Sequence, residues 1–244
     1  MAQTTSPSTA SPDEIARFQA MADNWWNANG DFKPLHQLNT PRLEFLRDHL
    51  AAHFSRDAKA ERPFEGLSLL DVGCGGGLLA EPMTRLGFTV TGIDAGEKNI
   101  GVARLHAEQS GLAIDYLCTT PETLERQFDV VIAMEVIEHV SDVQVFLSAI
   151  GMCLKPGGAF FGATLNRTPQ SFALAIVGAE YVLRWLPRGT HNWRKFVRPS
   201  EFAGELRRVG ITPKSFEGVR YDILRDRWER CASLDVNYAL YGVK

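Results

Sequence analysis

The 244-residue chain is 45% hydrophobic and 23% charged, an ordinary balance for a globular protein. Its formal net charge of −3 gives no global electrostatic case for nucleic-acid binding, and no uncharged apolar run is long enough to span a bilayer. Four widely spaced cysteines with no C-x-x-C pair favour reduced thiols in a cytoplasmic-type compartment over a disulfide framework.

Residues 1–12, MAQTTSPSTASP, are rich in Ser, Thr and Pro and lack both a basic residue and an apolar core. They read as a disordered tail, not a secretory signal or transit peptide. A helix is expected from SPDE, with Ser11 as cap, Pro12 in the first turn and Glu14 completing a capping box. Ile15, Phe18, Met21 or Ala22, and Trp25 then fall on one face. After a turn at Asn29-Gly30, TPRLEFLRDHLAAHF predicts a second helix with Pro41 near its first turn. Residues 13–62 thus form an N-terminal helical cover on a single domain, 13–244.

From Leu67 the pattern changes. LSLLDVG, FTVTGID, IDYLC, FDVVIAME and GAFFGATLN read as strands, with helices near 78–86, 96–110 and 142–154. This alternation predicts βαβ units and a mostly parallel sheet with helices on both faces. VRYDIL with RDRWER, and DVNYALYGV, supply two closing strands.

DVGCGGG follows the first strand and opens a helix. Gly73, Gly75 and Gly77 form G-x-G-x-G, whereas the dinucleotide fingerprint would need a glycine at Leu78, and there is no Walker lysine. The loop is expected to bring backbone N–H groups close to an anionic ligand. Asp94 ends the second strand, where an acid can accept hydrogen bonds from ribose hydroxyls. Loop and acid together point to a nucleoside cofactor.

After the fourth strand comes IAMEVIEHV, placing Glu135, Glu138 and His139 at E-x-x-E-H spacing. Two carboxylates suit a hard cation, but an imidazole suits Zn²⁺, Mn²⁺ or Fe²⁺ better than Mg²⁺. The same residues can act as base and loop scaffold, and the residues alone leave both roles open. His36 and His191 are weaker candidates, since a lone histidine is more often a packing or surface residue.

The order D-x-G-C-G, with KPGG before the fifth strand, resembles motif I and the following turn of class I S-adenosylmethionine (SAM)-dependent methyltransferases. WWNANGDFKPLHQLNTPR, LDVGCGGG, TGIDAGEKNI, ARLHAEQSG, MEVIEHV, ATLNRT, GAEYVLRWLPRGTH and DVNY together resemble the ubiquinone-biosynthesis O-methyltransferases over nearly the whole chain from Ile15 to Tyr241. The resemblance implies a Rossmann-like class I methyltransferase fold with a seven-stranded sheet. It implies a polyprenylated phenol or catechol as substrate, at two steps of the pathway, and contact with other enzymes of that pathway. It also implies that Arg42 contacts the SAM carboxylate, and that Gly73, Gly75, Gly77, Asp94 and Met134 line the cofactor site. Met134 would pack against adenine. The acid that often follows the third strand of this superfamily is missing, leaving Thr119, Thr120 or Glu122 to substitute. Glu135, Glu138 and His139 are implied as ligands of a divalent cation, Mg²⁺, with Glu135 and His139 as catalytic groups. One departure is visible: the family usually reads GTHDW where this chain has GTHNW, with Asn192 in place of the acid.

The chemistry frames these roles. Methyl transfer from a sulfonium is an in-line displacement that needs aligned reactants. Ionising a phenol of pKa near 10 costs roughly 4 kcal/mol at pH 7. Either a metal or a positioned base can lower that cost.

Residues 167–199 read as a helical, amphipathic insertion after strand five. Leu174, Val177, Tyr181 and Trp185 share one side of a helix over 170–186, and Arg184, Arg188, Arg194, Lys195 and Arg198 form a basic cluster. The stretch 170–198 therefore fits either an interfacial element on an anionic membrane, at its inner face, or a lid over the substrate. A methyltransferase acting on another small molecule, and a non-catalytic SAM-binding scaffold, are the competing readings of the chain.

Overall fold

A computed structural model describes residues 8–30, 32–174, 176 and 192–244. Five parallel strands form the centre of the sheet: β1 (Ser68–Val72), β2 (Thr89–Asp94), β3 (Asp115–Cys118), β4 (Phe128–Met134) and β5 (Leu154–Leu165). Three antiparallel strands extend it: β6 (Thr212–Asp222), β7 (Arg227–Cys231) and β8 (Asn237–Val243). The spatial order is β3-β2-β1-β4-β5-β8-β6-β7. The sheet thus has eight strands where seven were expected. The extra one arises because VRYDIL and RDRWER separate into β6 and β7, and β6 begins seven residues before Val219.

Strand periodicity divides the core. Leu69, Val130 and Ile132 point to one face, under α2 (Lys33–His53), α3 (Ala80–Arg85) and α4 (Glu97–Gln109). Leu70, Val131 and Ala133 point to the other, under α5 (Val143–Cys153) and α7 (Pro199–Arg208). Strands covered on both faces read as unbroken apolar runs, which is why β1 and β4 were visible in the sequence. Asp142 caps α5, its carboxylate accepting from the N–H groups of Gln144 and Val145. The short helix α6 (Pro169–Ser171) is closed by a capping box between Thr168 and Ser171.

The N-terminal cover differs from expectation in three ways. Helix α1 (Pro12–Ala20) ends before Trp25, Ser11 makes no side-chain cap bond, and the Glu14 carboxylate bonds Arg17 and His139. Helix α2 starts at Lys33, with Pro34 in its first turn and Pro41 inside it. The end of the supposed tail is also ordered. Thr9 is buried, Ala10 bridges to Val140, and Ser141 donates to the Thr9 carbonyl through both its backbone N–H and its hydroxyl. Within the insertion, the expectations for Val177, Tyr181, Arg184, Trp185, Arg188 and His191 lie outside the described residues.

Candidate active site

The chain runs outward from β1 to β3 and then returns to β4 on the other side of β1. A crevice opens at such a reversal, beyond the carboxyl ends of the strands. A cavity of about 700 Å³ lies there, lined by the glycine loop, Asp94, the residues after β4 and the N-terminal helices.

Gly73, Gly75 and Gly77 have φ of 69°, 53° and 91°, a region that L side chains rarely adopt. A Cβ added at Gly75 would lie 2.4 Å from the ring of Trp25, so the indole packs directly on the loop. Four of the loop amides are engaged within the protein. Gly73 and Cys74 donate to the Ile93 carbonyl, Gly77 donates to Cys74, and Gly75 donates to the Asp94 carboxylate at 3.1 Å. The glycines therefore supply conformation and close approach, with these four amides already used.

Asp94 also accepts from Gly96 N at 2.7 Å and Asn99 Nδ2 at 3.1 Å. Burial raises its carboxyl above the usual range, and these three bonds hold it down in part. Asn99 in turn takes the Trp25 indole N–H, and Trp26 donates to the Gly76 carbonyl. The two tryptophans thus clamp the glycine loop. The sequence reading placed Trp25 only on a helix face.

Asp71, at the end of β1, was not singled out from the sequence. It is 2% exposed and lines the cavity. The Ala80 backbone amide bonds to its carboxylate, while Oδ2 has no partner. Burial, then the nearby Asp94 charge, push its carboxyl up to about 8, against the pull of Arg42. Arg42 lies on α2, buried, with Nη2 3.0 Å from Glu135 Oε1 and Nε unpartnered. A buried acid with one unpartnered oxygen and a buried arginine with donor capacity to spare face one cavity.

Glu135, Glu138 and His139 all line this cavity, but each is engaged elsewhere. Glu135 holds Arg42 and sits at φ 56°, an uncommon conformation for a residue with a side chain. Glu138 is 3% exposed and accepts from the Thr164 hydroxyl at 2.8 Å. Burial and then the Glu135 charge raise its carboxyl to about 7. His139 places Nδ1 3.1 Å from Glu14 Oε2 of α1 and meets the Phe18 ring edge-on. Among the described residues, no three His, Cys, Asp or Glu side chains gather as a metal-holding group. The three implied cation ligands are held by three different partners, Arg42, Thr164 and Glu14.

Met134 ends β4 and lines the cavity, as do Thr119 and Thr120, while Glu122 is taken by the Thr9 hydroxyl. His36 is bound to the Trp25 carbonyl. Asn192 accepts from Arg194 N as a helix cap, a role that Asp fills equally well, so the departure from GTHDW leaves this function intact.

The model of a methyltransferase domain matches residues 42–214. The chain is 62% identical over 238 residues to the ubiquinone biosynthesis O-methyltransferase of Paramagnetospirillum magneticum, covering 97% of this chain and 96% of that one. It is 54% identical over 243 residues to the protein of the same name from Cereibacter sphaeroides, covering 98% of each. Among solved structures, magnesium protoporphyrin IX methyltransferase from Synechocystis PCC 6803, with bound SAH, superposes with a TM-score of 0.68 at 18% identity. That match covers 94% of this chain and 97% of the other, and shows the shared fold.

Proposed function

The chain belongs to the family of ubiquinone biosynthesis O-methyltransferases, and from that premise we propose how its cavity carries out SAM-dependent O-methylation of a phenolic substrate. Bound SAM supplies an electrophilic methyl group on a sulfonium. Its amino-acid end carries both an ammonium and a carboxylate, and the chain offers a partner for each. The unpartnered Oδ2 of Asp71 takes the ammonium, and Arg42 takes the carboxylate. This pairing of a buried acid whose Oδ2 has no partner with a buried arginine is the observation that carries the reading. Asp94 receives the ribose hydroxyls, and Met134, Thr119 and Thr120 line the adenine end.

Arg42 can serve the cofactor carboxylate only by loosening its hold on Glu135. Cofactor binding would thus free Glu135 to face the incoming substrate. His139 takes the phenolic proton on Nε2, because Glu14 occupies Nδ1 and fixes the ring. The His139 bond, acting against burial, holds the Glu14 carboxyl below its usual range, so Glu14 stays ionised and orients the imidazole. Magnesium at Glu135, Glu138 and His139 would require these groups to leave Arg42, Thr164 and Glu14.

The substrate is a polyprenylated catechol or phenol, methylated at two pathway stages, with contact to neighbouring pathway enzymes. No helix among the described residues is long and apolar enough to cross a membrane. Peripheral contact with an anionic bilayer through 170–198 is supported by exposed Phe172 and Leu174 and by Arg194, Lys195 and Arg198. Flotation with anionic liposomes, weakening in high salt, tests it. The reaction is tested by mass spectrometry of a catechol incubated with enzyme and SAM. SAM binding with no methylated product from tailless or prenylated catechols would leave only a scaffold role.

A further inference from the structure

One wall of the cavity carries an apolar stripe that leads away from the reacting groups. On β5 the stripe begins at Leu165, which stands opposite Asn237 of β8, and Asn237 stands opposite Val219 of β6. Val219 and Tyr221 share a face of β6, and Ile223 follows at the same two-residue period. Trp228 of β7 is paired in register with Tyr221, their rings 5.5 Å apart. All four of these side chains line the cavity that holds His139.

Exposure grows along the stripe. Val219 is 8% exposed, Ile223 80%, and Leu224 at the hairpin tip 97%. The run from Val219 to Ile223 spans about 13 Å at strand rise. The facing wall is the first turns of α2, Pro34, Leu35 and Leu38. Two contacts brace the gap from outside, Lys33 to the Asp226 carboxylate at 3.9 Å and Gln37 Nε2 to the Asp226 carbonyl. The methyl-transfer chemistry needs no such feature, and two largely exposed aliphatic side chains at the tip of a hairpin otherwise only lose hydrophobic stabilisation.

We infer that the channel between the β6–β7 hairpin and the start of α2 is the binding site for the isoprenoid tail of the substrate, which leaves the cavity over Ile223 and Leu224. This deepens the proposed function and rests on it. An isoprenoid chain needs a long, predominantly apolar track, and Val219, the Tyr221 and Trp228 rings, Ile223 and Leu224 supply one from its buried to its exposed end, with Asn237 the polar residue at its inner end. The ring then remains beside His139, with the tail setting its direction of entry.

The test uses the full chain with SAM and two substrates in the same detergent: a catechol with no side chain, and the same ring bearing a farnesyl chain. The readout is the ratio of kcat/KM for the farnesylated catechol to that for the tailless one. Wild type is expected to favour the farnesylated substrate. Ile223→Asp and Trp228→Ser are each expected to lower the ratio about tenfold, and Ile223→Leu to keep it. Ile223 is largely exposed, so its substitution does not threaten the fold. A wild-type ratio near one, or a ratio unchanged in both polar variants, overturns the inference while leaving the methyltransferase reading in place. A ratio that falls only when substrate is presented in anionic vesicles also overturns it, assigning the tip to the lipid surface instead. Wild type that methylates neither catechol overturns the functional reading, and this inference with it.

Discussion

Glu14 and His139, 125 residues apart in sequence, meet at 3.1 Å across the mouth of the cavity. Helix α1 is thereby tied to the loop after β4. Glu14→Ala is expected to lower kcat about tenfold, and His139→Ala about a hundredfold or more, the range for a positioned proton acceptor. Glu14→Gln keeps an acceptor oxygen and should retain more activity than the alanine variant. SAM affinity, measured by calorimetry, should change little in any of the three. A parallel loss of SAM binding would instead make the contact a structural clip.

Arg42 is the second point of test. Its replacement by alanine removes a charge-assisted bond worth about 1.5–3 kcal/mol, so the Kd for SAM should rise by roughly 10- to 150-fold. Arg42→Lys should recover only part of the affinity, because an ammonium cannot offer two parallel bonds to a carboxylate. The KM for the catechol is expected to move far less. Calorimetry and initial-rate kinetics on the same preparations separate the two effects.

Asp71 should show a conflict between stability and binding. Burial raises its folded-state carboxyl to about 8, above the value near 4 of an unfolded chain. The folded protein therefore holds a proton that the unfolded chain releases. Its contribution is fully present below about pH 4 and is lost as pH rises towards about 8. Asp71→Asn removes this loss, so the ligand-free variant should melt higher than wild type at pH 8, by about 2–4 °C for each kcal/mol gained. The same change should weaken SAM binding at least tenfold. Thermal melts at pH 5 and pH 8, with and without SAM, check both parts.

Gly75→Ala places a Cβ against the Trp25 ring and a side chain at φ 53°. The backbone conformation alone costs about 1–2 kcal/mol. The indole must also move off the loop, breaking its 3.1 Å bond to Asn99. Lower stability in urea, together with altered tryptophan fluorescence, is expected. A fluorescence spectrum identical to wild type would show that Trp25 does not brace the loop.

The parallel half of the sheet was legible because β1 and β4 are buried on both faces and so form largely apolar runs. The glycine loop and Asp94 were legible from spacing. The antiparallel extension was harder to divide because it carries charge pairs on its strands, such as Arg220 with Glu229 and Arg230 with Glu217. Pro41 misled for a local reason. A proline at a helix start is common, but here Pro34 has that place and Pro41 sits within the helix. Asp71 was overlooked because a strand acid before a glycine loop carries no mark of its burial or of its missing partner. The partners of Glu135, Glu138 and His139 come from α2, β5 and α1, and E-x-x-E-H spacing carries no information about elements so distant in sequence.

The bridge between Ala10 and Val140 gives the two termini unequal standing. Val243 pairs with Ala159 at the start of β5's long apolar run, whereas Asn237 pairs with Leu165 at its end. The final residue therefore lies at the end of the strands remote from the cavity, with Lys244 Nζ fastened to the carbonyls of Gly151 and Leu154. Thr9 and Ala10 instead lie next to the loop that carries His139. A bulky label attached at exposed Ser8 would crowd the entrance and alter kinetics without touching a reacting side chain. One fused after Lys244 would report on the enzyme undisturbed.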